Sequence, residues 1–126
     1  METKEIQSKK KYNLEERCED FACSVAGVVK KLPKTIENIE YGKQDIRSSG
    51  SIGANYIEAN ECLSKKDFLF RIKICRKESR ETEYWLRIIG RVNLITGFIE
   101  PITKESNEFK LIFSSMIEKS TRNTWK

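Results

Sequence analysis

Histidine is absent from this chain, and with it the commonest general base of enzymes. A serine or cysteine nucleophile needs a neighbouring base to take its proton, so hydrolytic triads in their usual form are excluded. The di-metal motif of helical bundles is excluded too, because it relies on Glu-x-x-His. With 2 prolines and 6 glycines, the chain lacks the turn residues of a sandwich or barrel of many short strands. No apolar run approaches the roughly 18 residues that span a bilayer, so no membrane partner is expected. The four cysteines, Cys18, Cys23, Cys62 and Cys75, form no C-x-x-C pair. A zinc site would have to gather them from three separate segments. Reduced, mostly buried thiols of a cytoplasmic protein are the expectation, with no metal and no cofactor. Met1 to Asn13 is polar and lysine-rich with no apolar centre. It is unlike a secretory signal and reads as a flexible leader over residues 1–13.

What is present is helical periodicity. The length of 126 residues suits one domain. From Leu14 to Leu32, the residues Leu14, Cys18, Phe21, Val25, Val28 and Leu32 recur at alternating steps of four and three, which puts them on one stripe of a helix. Asn13 is the expected N-cap and Pro33 the stop. A second helix is predicted over 36–61, with Ile39, Ile46, Ser49, Gly53 and Ile57 facing the core. Its centre, Ser48-Ser49-Gly50-Ser51-Ile52-Gly53-Ala54-Asn55, is poor in helix propensity, since each glycine costs about 1 kcal/mol against alanine. A close approach of another helix at Ser49, Gly50, Gly53 and Ala54 accounts for it; the alternative is a loop that splits two short helices.

The third helix is predicted over 65–93, opened by Ser64 with Asp67 three residues on. Phe68, Ile72, Cys75, Ser79, Thr82, Leu86 and Ile89 form its apolar stripe. After a turn at Thr96-Gly97, the fourth is predicted over 99–119, with Pro101 in its first turn. Its apolar face is Ile102, Phe109, Ile112, Phe113, Met116 and Ile117. Residues 120–126 read as a polar tail. Amphipathic helices joined by short connections give an all-α fold: an antiparallel up-down-up-down four-helix bundle.

The charge is unevenly placed. The net charge is +5, and Cys62 to Arg91 carries nine basic against four acidic residues, so that stretch holds the whole surplus. Within it, Lys66, Phe70, Lys73, Lys77, Arg80, Tyr84, Arg87 and Arg91 follow one another at steps of four and three. They share one face of the third helix, with Arg76 and Lys65 beside it. Cations that track phosphates, interleaved with rings that stack on bases, suit RNA rather than DNA. Lys66, Lys73, Arg76, Lys77, Arg80, Arg87 and Arg91 are the candidate phosphate contacts, and Phe70 and Tyr84 the candidate stacking rings. The alternative is a solvated face, supported by the i,i+4 pairs Asp67–Arg71 and Glu83–Arg87 and by a reversed Lys77–Glu81.

No enzymatic constellation emerges. Glu15/Glu16/Glu19, Glu37/Glu40 and Glu58/Glu61 have the helical spacing of solvated faces. Gly50-Ser51-Ile52-Gly53 lacks the lysine and the preceding strand of a phosphate loop. The expectation is a non-enzymatic binding protein. It binds nucleic acid or, alternatively, docks an acidic partner protein such as a polymerase on the same basic helix.

Gly42-Lys43-Gln44, Ile46-Arg47-Ser48-Ser49-Gly50-Ser51-Ile52-Gly53-Ala54-Asn55-Tyr56-Ile57-Glu58-Ala59, Ser64-Lys65-Lys66-Asp67-Phe68 and Tyr84-Trp85-Leu86-Arg87 resemble the bacterial four-helix-bundle proteins of the 23S rRNA intervening-sequence family. The resemblance covers about Leu14 to Lys119. It implies an antiparallel four-helix bundle shared with an accessory protein of diversity-generating retroelements. It further implies a homopentameric ring with a basic surface around its channel, which would let the close approach at Gly50 and Gly53 lie between subunits instead of within one bundle, and nucleic acid and a reverse transcriptase as partners of that relative. Cys62 and Cys75 stand where the resemblance implies small apolar residues.

Overall fold

Three side chains and one backbone break set the limits of the helices. In the computed structural model, which describes residues 13–123, the elements are α1 (Leu14–Lys31), α2 (Ile36–Asn60), α3 (Lys65–Val92) and α4 (Thr96–Asn123). Asn13 Oδ1 accepts from the Glu16 amide, Thr35 Oγ1 from the Asn38 amide and Ser64 Oγ from the Asp67 amide. Each satisfies a donor that the first helical turn leaves free. Between α3 and α4, Leu94 takes the left-handed conformation with φ of 58°. The Ile95 amide then closes back on the Gly90 carbonyl at 2.8 Å. That turn is so short that α4 starts at Thr96, ahead of the turn the sequence suggests at Thr96-Gly97. The helix carries Pro101 inside it and continues to Asn123. The expected leader lies outside the described residues, apart from Asn13.

Consecutive helices run antiparallel. Val29 of α1 meets Gly42 of α2, and Cys18 meets Gly53. Asn38 of α2 bonds Asn93 just after α3, and Asn55 bonds Arg71. Gly90 of α3 meets Thr96 and Ile99 at the start of α4, and Arg76 bonds Ser114 further along. In each pair the late part of one helix lies on the early part of the next. The core is Phe21, Val25, Ile52, Ile72, Leu86, Ile89, Phe109 and Phe113, all buried, with Phe21 edge-on to Phe109.

The stripes of α1 and α3 bury as their spacing requires. α2 does not. Ile39, Ile46 and Ile57 are exposed, and its buried face is Asn38, Gly42, Asp45, Ser48, Ser49, Ile52 and Ala59. The reason is steric. A Cβ at Gly42 would lie 2.8 Å from Val29 Cγ1, and one at Gly53 would lie 3.1 Å from Cys18 Cβ, so α1 seats itself on the small side of α2. Buried hydroxyls on that side are satisfied locally: Ser48 Oγ donates to the Asp45 carbonyl and Ser49 Oγ to the Ile46 carbonyl. The glycine- and serine-rich centre is helical throughout.

Candidate nucleic-acid interface

α3 lies between α2 and α4, and the two neighbours take up three of its four carboxylates, all but the exposed Asp67. Glu78 and Glu81 both receive Arg47 of α2. Glu83 receives Lys110 of α4, with Nζ 2.8 Å from Oε1. Arg71 turns the other way and donates to Asn55 Oδ1 at 2.9 Å. Among the described residues, the within-helix pairs Asp67–Arg71, Glu83–Arg87 and Lys77–Glu81 therefore do not form.

The basic side chains are left in the open. Lys66, Lys73, Lys77, Arg80, Arg87 and Arg91 are exposed, and none has a carboxylate partner among the described residues. Phe70 is 61% exposed and Tyr84 51% exposed. The Tyr84 ring packs edge-on against Trp85, which stacks on Tyr41 of α2. Arg76 is half-buried in the α3–α4 seam, where Nη1 donates to Ser114 Oγ at 3.3 Å. Lys65 reaches the Ser120 carbonyl at 3.5 Å. Lys110 and Ser114 border the same face from α4. Sequence periodicity on a single helix has no means of finding them, since their position depends on how α4 docks.

The small residues divide. Gly53 makes room for α1, and Ser49 is buried. Gly50 and Ala54 are exposed, and among the described residues no atom beyond its own stretch of helix lies within 4 Å of where a Cβ on Gly50 would sit. Gly50 and Ala54 thus lie on the outer side of α2 with Ile46 and Ile57.

Cys18 and Cys75 are buried and Cys23 is exposed. Burial pushes the Cys18 and Cys75 thiols up to about 12, which keeps them protonated and unreactive. Among the described residues, no three His, Cys, Asp or Glu side chains converge as metal ligands. No described helix is long and apolar enough to cross a membrane.

The fold recurs in a solved structure. A crystal structure of a protein of unknown function from the S23 ribosomal protein family of Bacteroides thetaiotaomicron superposes with a TM-score of 0.73 at 32% identity. The match covers 82% of this chain and 96% of that one. No curated protein sequence matches the chain. The family model of the 23S rRNA-intervening sequence proteins matches residues 5–115, and the chain belongs to that family.

Proposed function

We propose that this chain is a non-enzymatic, cytoplasmic accessory protein that binds nucleic acid, RNA rather than DNA, through the outer face of α3. The observation that carries the reading is the exposure of Lys66, Lys73, Lys77, Arg80, Arg87 and Arg91 without one carboxylate partner among the described residues. A merely solvated face would keep its cations near its own acids. Here Glu78, Glu81 and Glu83 are drawn to α2 and α4, and like charges such as Lys73–Lys77 and Arg87–Arg91 remain one turn apart. Such a pair costs roughly 0.2–0.5 kcal/mol, which a polyanion relieves.

The subunits assemble as a homo-oligomer, a pentamer by the family resemblance. The exposed Ile46, Gly50, Ala54 and Ile57 side of α2 supports a subunit contact, because nothing among the described residues uses the bare surface at Gly50.

Filter binding of wild type against a variant with Lys73, Lys77, Arg80 and Arg87 changed together to glutamine tests the reading. Affinity for RNA should fall steeply with salt in the wild type through counterion release, and the variant should lose most of it. Circular dichroism checks that the variant stays helical. Binding that is indifferent to salt and to the four substitutions would refute the proposal.

A further inference from the structure

The face of α3 is one wall of a groove whose other wall is α4. Lys73, Arg76, Lys77 and Arg80 stand opposite Lys110 and Ser114, and together they enclose a recess of about 410 Å3 with no carboxylate in its lining. Arg76 is anchored to the neutral Ser114 hydroxyl, so its charge is held in place without being cancelled. Among the described residues, Lys110 is the one cation of the recess with an acidic partner, Glu83. Cations crowded this closely around a small volume repel one another, and a bound anion relieves that repulsion.

A second recess of about 530 Å3 continues the groove toward the end of α3 and shares Arg80 and Lys110 with the first. Its chemistry differs. Tyr84 forms one wall, and Glu81 and Glu83 bring carboxylates into the lining. Carboxylates repel a phosphate but accept hydrogen bonds from the amino and imino groups of a base. The Tyr84 ring is steadied by Trp85, with ring centroids 5.1 Å apart, and it offers a stacking surface.

We propose that the α3–α4 groove is a single-strand site in which a phosphate pocket is followed by a base pocket. The first recess, with Arg76 and Ser114 at its centre, takes a backbone phosphate. The second takes the adjoining base against Tyr84. A duplex can present a phosphate to the first recess but has no free base for the second. The inference rests on the nucleic-acid reading and deepens it. The strand follows the seam, with Lys110 and Ser114 of α4 as partners, and Lys66 lies outside both recesses.

The full chain is titrated with a labelled 12-mer oligouridylate, an abasic ribose-phosphate strand of equal length and an RNA duplex. The single strand should bind about tenfold more tightly than the duplex. Tyr84→Ala should weaken oligouridylate by about tenfold and leave the abasic strand unchanged, since one stacking contact is lost. Ser114→Asp, which gives Arg76 a carboxylate, should weaken both strands by about tenfold. Glu83→Gln frees Lys110 and should tighten the abasic strand. If wild type binds none of the probes at low salt, the nucleic-acid reading itself fails. If wild type binds and the four-glutamine variant does not, yet Ser114→Asp and Tyr84→Ala behave as wild type or the duplex binds as tightly as the single strand, the reading stands and the groove is refuted.

Discussion

Glu83 Oε1 lies 2.8 Å from Lys110 Nζ on α4, although Arg87 stands one turn ahead on its own helix. The docking of α4 thus converts what sequence spacing offers as an i,i+4 pair within α3 into a bond between helices, and it releases Arg87. Both partners of the bond are largely shielded, with side-chain exposures of 25% and 22%. A double-mutant cycle on Glu83 and Lys110, read by urea denaturation, should give a coupling of about 0.5–1 kcal/mol. The same cycle on Glu83 and Arg87 should give close to zero. Equal couplings would contradict the arrangement.

Asp45 is fully buried on the inner side of α2, and neither carboxylate oxygen has a hydrogen-bond partner among the described residues. Burial raises its pKa from 3.8 to about 8. The folded chain therefore keeps a proton that the unfolded chain gives up. Stability is full below the unfolded value and declines as pH rises toward the folded one, then levels off. Denaturation midpoints should be higher at pH 5 than at pH 8. Asp45→Asn should flatten that slope, and Asp45→Leu should raise stability at pH 8 by on the order of 2 kcal/mol. A pH profile that Asp45→Asn leaves unaltered would sink this account.

Two glycines three residues apart in α2 should respond in opposite directions. Gly53→Ala drives a methyl to 3.1 Å from Cys18 Cβ, which the backbone of α1 holds in place. A loss of about 1–3 kcal/mol is expected. Gly50→Ala meets nothing within 4 Å among the described residues outside its own helix and should stabilise the isolated subunit by about 0.5–1 kcal/mol through helix propensity. If the outer side of α2 is a subunit contact, Gly50→Ala should also shift sedimentation toward smaller species. Thermal melts and sedimentation velocity on the two variants check both statements.

Asn38 and Asn93 exchange amide hydrogen bonds of 2.9 and 2.8 Å, tying the start of α2 to the end of α3. Asn38 is buried and also donates to the Pro33 carbonyl. Asn93→Ala leaves the buried Asn38 oxygen without its donor and should cost about 1–3 kcal/mol in chemical denaturation. A cost no larger than that of an exposed asparagine, such as Asn60→Ala, would count against the bond.

Much of the bundle was legible because helix-forming signals are local. Alternating steps of four and three marked the inner stripes of α1 and α3, and Asn13 and Ser64 marked their starts. The same logic failed in α2, where the isoleucines Ile39, Ile46 and Ile57 share a periodic pattern but face outward. Hydrophobicity was outweighed there by size: the glycines Gly42 and Gly53 let α1 come close enough to bury its own larger side chains. The start of α4 was missed as well, because the left-handed Leu94 turn is set by the packing of Gly90 against Thr96 and Ile99.

The sequence by itself determined four amphipathic helices and a cluster of positive charge on the third, since both follow from residue order along one helix axis. Only the tertiary structure decided which charges stay free. Arg47 and Lys110, far away along the chain, take up Glu78, Glu81 and Glu83, and such long-range pairing depends on how neighbouring helices dock, which no spacing within a single helix encodes.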